Sequence, residues 1–186
     1  MASRGPSTSE PVESPGRPRK AHYIIAFGLG ATVGLLAGFG ESFYLFSALP
    51  VAFFNRSLFG VVVAVGVAPL VEEPAKSFGL LLLKEEEKLE FSIQSWTLLG
   101  ALAGLGFGFL ENVVYAYSVS QYGLDVSLAL FLMRGLLTAP LHGITATLTG
   151  FGIGLWQKTG NARMLILPLV VAMVIHGSFN LLASLV

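Results

Sequence analysis

Residues 93–118 read IQSWTLLGALAGLGFGFLENVVYAYS. From Ile93 to Leu110 no side chain is charged, and small residues recur throughout. At about 1.5 Å per residue such a helix outspans a bilayer core of about 30 Å, which roughly 20 residues cross. The run then takes Glu111 and Asn112 into its second half without losing its apolar character. Lipid tolerates such a pair only where it faces other protein or a wet cavity. The stretch therefore reads as one helix of a membrane-embedded bundle with a polar interior.

The rest of the chain agrees. Hydrophobic residues make up 54% of the 186 and charged ones only 12%, with a mean hydropathy of +0.74. Soluble domains carry about 25% charged residues. Four further apolar blocks flank the first: about Ala21–Leu49, Ser57–Leu83, Val126–Trp156 and Met164–Leu185. The block from Val126 is overlong and contains Arg134 and Pro140, so a kink or a short interfacial lead-in is expected there. Arg4, Arg17, Arg19 and Lys20, then Lys84 and Lys88, then Lys158 and Arg163 fall on one side of a five-span arrangement, and Arg56 alone on the other. The positive-inside rule makes the first side cytoplasmic. The expected fold class is all-α: a polytopic membrane bundle of about five transmembrane helices, N-terminus cytoplasmic. Residues 1–20, rich in Pro, Ser, Gly and charge, read as a disordered tail, and 21–186 as the transmembrane domain.

Polar residues inside the spans carry the functional signal: Glu41, Glu72, Glu73, Lys76, Glu111, Asn112, Arg134, His142, His176 and Asn180. Each charge at a helix centre costs about 2.5–3.5 kcal/mol on insertion scales. Six facing lipid would together cost on the order of 15–20 kcal/mol, more than a small protein's stability. They must turn inward. Counting from the basic ends at about 1.5 Å per residue puts Glu72, His142 and His176 about 18–21 Å deep, with Glu111 and Asn180 somewhat deeper. Spacings of three or four residues give each helix a polar stripe: Glu72 and Glu73 with Lys76, Glu111 with Tyr115, Thr138 with His142, His176 with Asn180. Pro74 removes one backbone hydrogen bond from the second span, a place for a kink that would bare a carbonyl. Glu41, near a helix end, reads as structural. Lys76 and Arg134 suit either a helix clamp or a supporting role in a site, and Asn112 and Tyr115 suit support or packing. Glycine spacings such as Gly104-x-x-x-Gly108 and Gly150-x-x-x-Gly154 read as helix packing.

Elimination narrows the chemistry. The chain has no Cys, Asp125 is its one aspartate, and its histidines are His22, His142 and His176. Thiol nucleophiles, aspartyl dyads and the HExxH zinc helix are therefore excluded, and neither Ser77 nor Ser178 sits in a Gly-x-Ser-x-Gly turn. No basic patch suggests nucleic acid. Glu and His chemistry remains, in two forms. A carboxylate takes a proton from water while His and Asn stabilise an oxyanion, or Glu and His hold a divalent metal with a position open to water.

At these residues the chain resembles the PrsW-type intramembrane proteases. Glu72-Glu73-Pro74-Ala75-Lys76 is similar to their EExxK motif, and Phe107-x-x-x-Glu111-Asn112-x-x-Tyr115 to their second motif. Arg134-x7-His142-x7-Gly150 resembles the third and His176-x-x-x-Asn180 the last. The resemblance implies a superfamily shared with the CAAX prenyl endopeptidases and with a non-catalytic scaffold subunit of γ-secretase. It implies a catalytic set of Glu72, Glu73, Glu111, His142, His176 and Asn180, supported by Lys76, Asn112 and Arg134. Within it Glu72 would be the base, Glu111 its helper in the place where the CAAX enzymes have His, and His176 and Asn180 the oxyanion donors. His142 would bind metal, water or Glu72. Two mechanisms stay open: carboxylates sharing a proton, or a divalent metal such as zinc on Glu72, Glu111, His142 and His176. The function so implied is an intramembrane endopeptidase acting on a membrane-spanning protein, multi-pass in a prokaryotic cell membrane. The rivals are a non-catalytic, helix-binding scaffold of the same superfamily and a proton- or ion-conducting protein, the latter without the internal repeat many transporters show.

Overall fold

The computed structural model describes residues 16–47, 56–87 and 90–185, with the side chains of 41–47, 56–58 and 86–87 not described. Most of the expected tail, and the side chain of Glu41, therefore lie outside the described residues. Helix α1 spans Lys20–Ser47. Helix α2, Arg56–Val62, passes through a π-helical turn, Val63–Val67, into α3, Ala68–Glu87, as one continuous run. Helices α4 (Ile93–Ser118), α5 (Leu124–Thr159) and α6 (Arg163–Ala183) complete the chain.

The boundaries follow local chemistry. Ser92 caps α4, its side chain accepting from the Ser95 N–H at 3.2 Å. Gly123 (φ 123°) lets the chain turn into α5, and Gly160 (φ 67°) ends it in the left-handed region that glycine adopts without strain. Among the described residues four helices are long and apolar enough to cross a bilayer: Lys20–Gly40, Ile93–Ser118, Leu124–Thr159 and Arg163–Ala183. The run 56–87 holds Glu72, Glu73 and Lys76 in its middle, all buried, and turns Val62, Leu70, Val71 and Phe78 outward. The architecture is an all-α membrane bundle, as the composition requires.

Two expectations are refined. The overlong block is one uninterrupted helix, Leu124–Thr159, running through Pro140. In the acidic span the departure from α geometry is the π turn at Val63–Val67, upstream of Pro74, which α3 accommodates. Proline costs one hydrogen bond and crowds the preceding turn, and the burial of Glu72, Glu73, Lys76 and Ser77 around it holds the helix against neighbours.

The most extensive packing joins α4 to α5, followed by α1 to α4 and α5 to α6. Glycines make the first of these close. A Cβ on Gly104 would land on the His142 carbonyl, and one on Gly150 on the Trp96 carbonyl. Small residues let membrane helices approach this way, gaining dispersion contacts and not a hydrophobic term, since lipid tails are equally apolar. At the basic end Trp96 Nε1 donates to Gln157 Oε1 at 2.8 Å, and Gln157 Nε2 donates to the Phe91 carbonyl at 2.9 Å. The Gly16 N–H donates to the Glu90 carbonyl at 2.9 Å, tying the entry to α1 against the entry to α4. This rigid α4–α5 pair is the platform on which the polar residues of α3 and α6 converge.

Candidate active site

Three side chains from three helices meet at the centre. Glu72 Oε2 (α3) lies 3.8 Å from His142 Nδ1 (α5) and 3.9 Å from His176 Nε2 (α6). All three residues are buried, and their ligand-type atoms lie within 4.8 Å of one another. The two imidazole rings stand edge to face, centroids 5.0 Å apart.

The far nitrogen of each imidazole is held by a carboxylate. His142 Nε2 is 3.0 Å from Glu111 Oε2, and His176 Nδ1 is 2.8 Å from Glu73 Oε1. A carboxylate accepts, so the ring nitrogen on that side carries the proton, and the nitrogen facing Glu72 keeps its lone pair. Both rings are therefore fixed in orientation and tautomer by a partner behind them.

Each carboxylate is anchored in turn. Glu73 Oε1 accepts from Lys76 Nζ at 2.6 Å and from Thr145 Oγ1 at 3.1 Å. Glu111 Oε2 accepts from the Arg134 guanidinium at 2.9 Å, whose Nε donates to Asn112 Oδ1 at 3.0 Å and whose plane lies 3.8 Å from the Tyr115 ring centre. Thr138 also donates to Asn112 Oδ1 at 3.0 Å. Phe107 packs on His142 with centroids 4.9 Å apart and sits 4.8 Å from Lys76 Nζ. Charges buried this deeply persist only when paired and hydrogen-bonded.

Lys76 has a second contact of consequence. Its ammonium, which can only donate, lies 3.0 Å from His142 Nδ1, the nitrogen that faces Glu72. The cluster brings together three carboxyl groups (Glu72, Glu73, Glu111) and two basic side chains (Lys76, Arg134).

Asn180, one turn beyond His176, donates through Nδ2 to the Ala64 carbonyl at 2.7 Å, inside the π turn. It lines, with Glu72, Glu111, Arg134, His142 and His176, a cavity of about 260 Å³. Ala183 and Ser184, exposed at the end of α6, also line it.

The site residues named from sequence, Asn180 apart, are thus joined in one network of polar contacts, and Asn180 lines the cavity beside it. They do not all stand in the same position. Glu72, His142 and His176 converge on one point, whereas Glu73 and Glu111 lie behind the histidines. Thr145 and Ala64 were not singled out from sequence. Thr145 follows His142 by three residues, on the same face, and that spacing was its signal. Ala64 acts through its backbone and had none.

The donor set fits a divalent ion. Two imidazole lone pairs and a carboxylate oxygen aimed at one point, each imidazole backed by an acid, is the pattern in which outer carboxylates orient metal-bound histidines. Zinc takes these ligand types. Because Nδ1 of His142 has a single lone pair, an ion on it would take the place of the Lys76 hydrogen bond.

Comparisons with known proteins point the same way. The profile of a family described as PrsW family intramembrane metalloprotease matches residues 18–186. "Protease PrsW" of Clostridioides difficile (strain 630) is 30% identical over 129 residues, covering 64% of this chain. The chain spans about half the length of that curated relative, 51%. No solved structure matches it significantly.

Proposed function

Because the chain belongs to the PrsW family of intramembrane metalloproteases, we propose that it hydrolyses a peptide bond of a membrane-spanning protein at the Glu72–His142–His176 centre. The observation that carries this reading is the pair of backed histidines: lone pairs facing Glu72 Oε2 at 3.8 and 3.9 Å, protons taken by Glu111 and Glu73. Glu72, His142 and His176 would hold the ion, zinc being the candidate. When bound it supplies Lewis acidity toward the scissile carbonyl and lowers the cost of deprotonating water.

The protein's own residues do the rest. Glu73 and Glu111 keep the two rings turned toward Glu72. Glu111, the second carboxylate lining the polar cavity, carries the proton from the attacking water toward the leaving amine. Asn180 lines the same cavity and retains a second N–H beyond the one given to Ala64, a donor for the developing oxyanion beside His176. Arg134 and Tyr115 close the cavity on the α4–α5 side. Helix burial around the centre limits water to what this cavity admits, and a low-dielectric surround strengthens each of these interactions.

The test uses the full chain in lipid nanodiscs with a panel of single-span reporter proteins. Cleavage should appear in the native protein, vanish in Glu72→Gln with the helical spectrum unchanged, vanish on chelation and return with added zinc. One bound ion per chain is expected by elemental analysis. Cleavage that survives exhaustive chelation would leave a glutamate-only mechanism. No cleavage of any reporter, with a reporter helix bound stably, would make the protein a scaffold.

A further inference from the structure

Glu72 lines two cavities of opposite character. One is the polar cavity of the candidate active site. The other, of about 450 Å³, lies between α1 and the run from the π turn into α3. Val33, Leu36 and Ala37 form one wall, Val67, Val71 and Ala75 the other. Among the described residues Glu72 is the one charged residue in its lining, and the volume is of the order that ligand-binding clefts have.

The cleft exists because α1 is committed elsewhere. Its glycine stripe is pressed onto α4: a Cβ on Gly30 would meet the Ala103 carbonyl, and one on Gly34 the Phe107 carbonyl. Toward the basic end α1 does reach α3, where a Cβ on Gly79 would stand 3.3 Å from Leu29. Beyond that contact, along Val33–Gly40, the two helices line a gap and not a packed seam. The π turn helps to keep the gap. Its Val63 and Val67 line the cleft, its Ala64 carbonyl is held by Asn180, and its Val65 carbonyl abuts Gly177 of α6. A π turn inserted in an α run commonly marks a functional site. Leu36 and Val71 are exposed at the rim, 66% and 58%, on the surface that lipid covers.

Resting on the peptidase reading, we propose that the α1–α3 cleft is the groove that receives the apolar transmembrane segment of the substrate. The segment enters sideways from the lipid and presents its backbone to Glu72 at the cleft floor. The occupant is set by two observations. Among the described residues the walls are aliphatic and uncharged, so they suit apolar side chains and offer no partner to a polar loop. Glu72 is the wall that the cleft shares with the cavity holding the two histidines, so a segment lying in the cleft is one side chain away from the reacting atoms. Water arrives separately, through the polar cavity, which Ala183 and Ser184 at the end of α6 also line. Small residues line the cleft beside Glu72, Ala68 and Ala75. They favour a segment with small side chains near the scissile bond.

The experiment exploits the absence of cysteine from the chain. A benzophenone on Leu36→Cys, in nanodiscs containing a fluorescent synthetic Leu/Ala-rich single-span helix, should yield a covalent adduct with that helix. The yield should be at least fivefold above that of the same label on Ile166→Cys, which faces lipid on α6. The adduct should persist with Glu72→Gln, since binding needs no turnover, and fall at least fivefold with Ala37→Trp, which fills the cleft away from the three converging side chains. Adducts confined to phospholipid or to a second copy of the chain, or equal yields at both positions, overturn the proposal. If the adduct forms and no reporter is cut, the peptidase reading fails and the groove stands. If reporters are cut equally by the native protein and by folded Ala37→Trp, the groove fails and the peptidase reading stands.

Discussion

Glu111 Oε2 lies 3.0 Å from His142 Nε2, on the side of the ring opposite the nitrogen that faces Glu72. This places the acid of α4 behind the histidine of α5. Its effect on an ion passes through the orientation of His142.

Removing it should therefore weaken metal binding without abolishing it. Loss of such an outer carboxylate typically costs about 10–100-fold in metal affinity. Glu111→Ala should show a loss of that size in zinc competition with a chromophoric chelator. Glu72→Ala or His176→Ala, which remove a ligand outright, should bind no measurable ion. If Glu111→Ala were as severe as Glu72→Ala, Glu111 would itself be a ligand.

Lys76 should act in the opposite sense. Its ammonium occupies the lone pair of His142 Nδ1 at 3.0 Å, and a positive charge this close repels a divalent ion through a poorly screening interior. Lys76→Gln keeps a hydrogen-bond donor toward Glu73, which retains His176 and Thr145 as partners. The variant should bind zinc about tenfold more tightly or better, an estimate that takes one lost hydrogen bond and one lost repulsion together. Unchanged or weaker binding by isothermal titration would show that Lys76 does not compete with the ion.

The reach of the sequence can be judged on these same residues. The helices, their buried faces and the convergence of Glu72, His142 and His176 were legible because charge within an apolar span has nowhere to go but inward. The division of labour between Glu72 and Glu73 was not. They are neighbours on one helix, about 100° apart, and which of them stands between the two imidazoles depends on how α6 docks, a long-range outcome with no local signature. The placing of Glu111 behind His142 follows likewise from the close α4–α5 packing. The π turn at Val63–Val67 lies in an aliphatic run that would suit an ordinary α-helix equally well, and its Ala64 carbonyl finds a partner on α6.

That close packing gives a stability test. At Gly104 any side chain meets the His142 carbonyl, whereas at Gly135 on the same helix pair nothing lies within 4 Å of an added Cβ. Gly104→Ala should destabilise the bundle by about 1–3 kcal/mol, the usual range for overpacking a tight interface. Gly135→Ala, on an exposed helical position, should stabilise by up to about 1 kcal/mol. Thermal unfolding in detergent reads both. In addition, Gly104→Ala should weaken zinc binding, because moving α5 moves His142. Gly135→Ala should leave it unchanged.

The last test separates a charge from a shape. Arg134 donates to Glu111 and to Asn112 at once while its plane stacks on Tyr115 at 3.8 Å. A lysine preserves the charge but offers neither the planar fork nor the stack. If Arg134 served only to neutralise Glu111, Arg134→Lys would retain native metal affinity and Arg134→Ala would lose it. The three simultaneous contacts argue for shape, so Arg134→Lys should resemble Arg134→Ala, with zinc affinity reduced about tenfold, toward the low end of what lost outer contacts cost. In combination with Glu111→Ala neither change should add a further loss, because both act on the same ring nitrogen of His142. Additive losses would mean that Arg134 reaches the centre by some route other than Glu111.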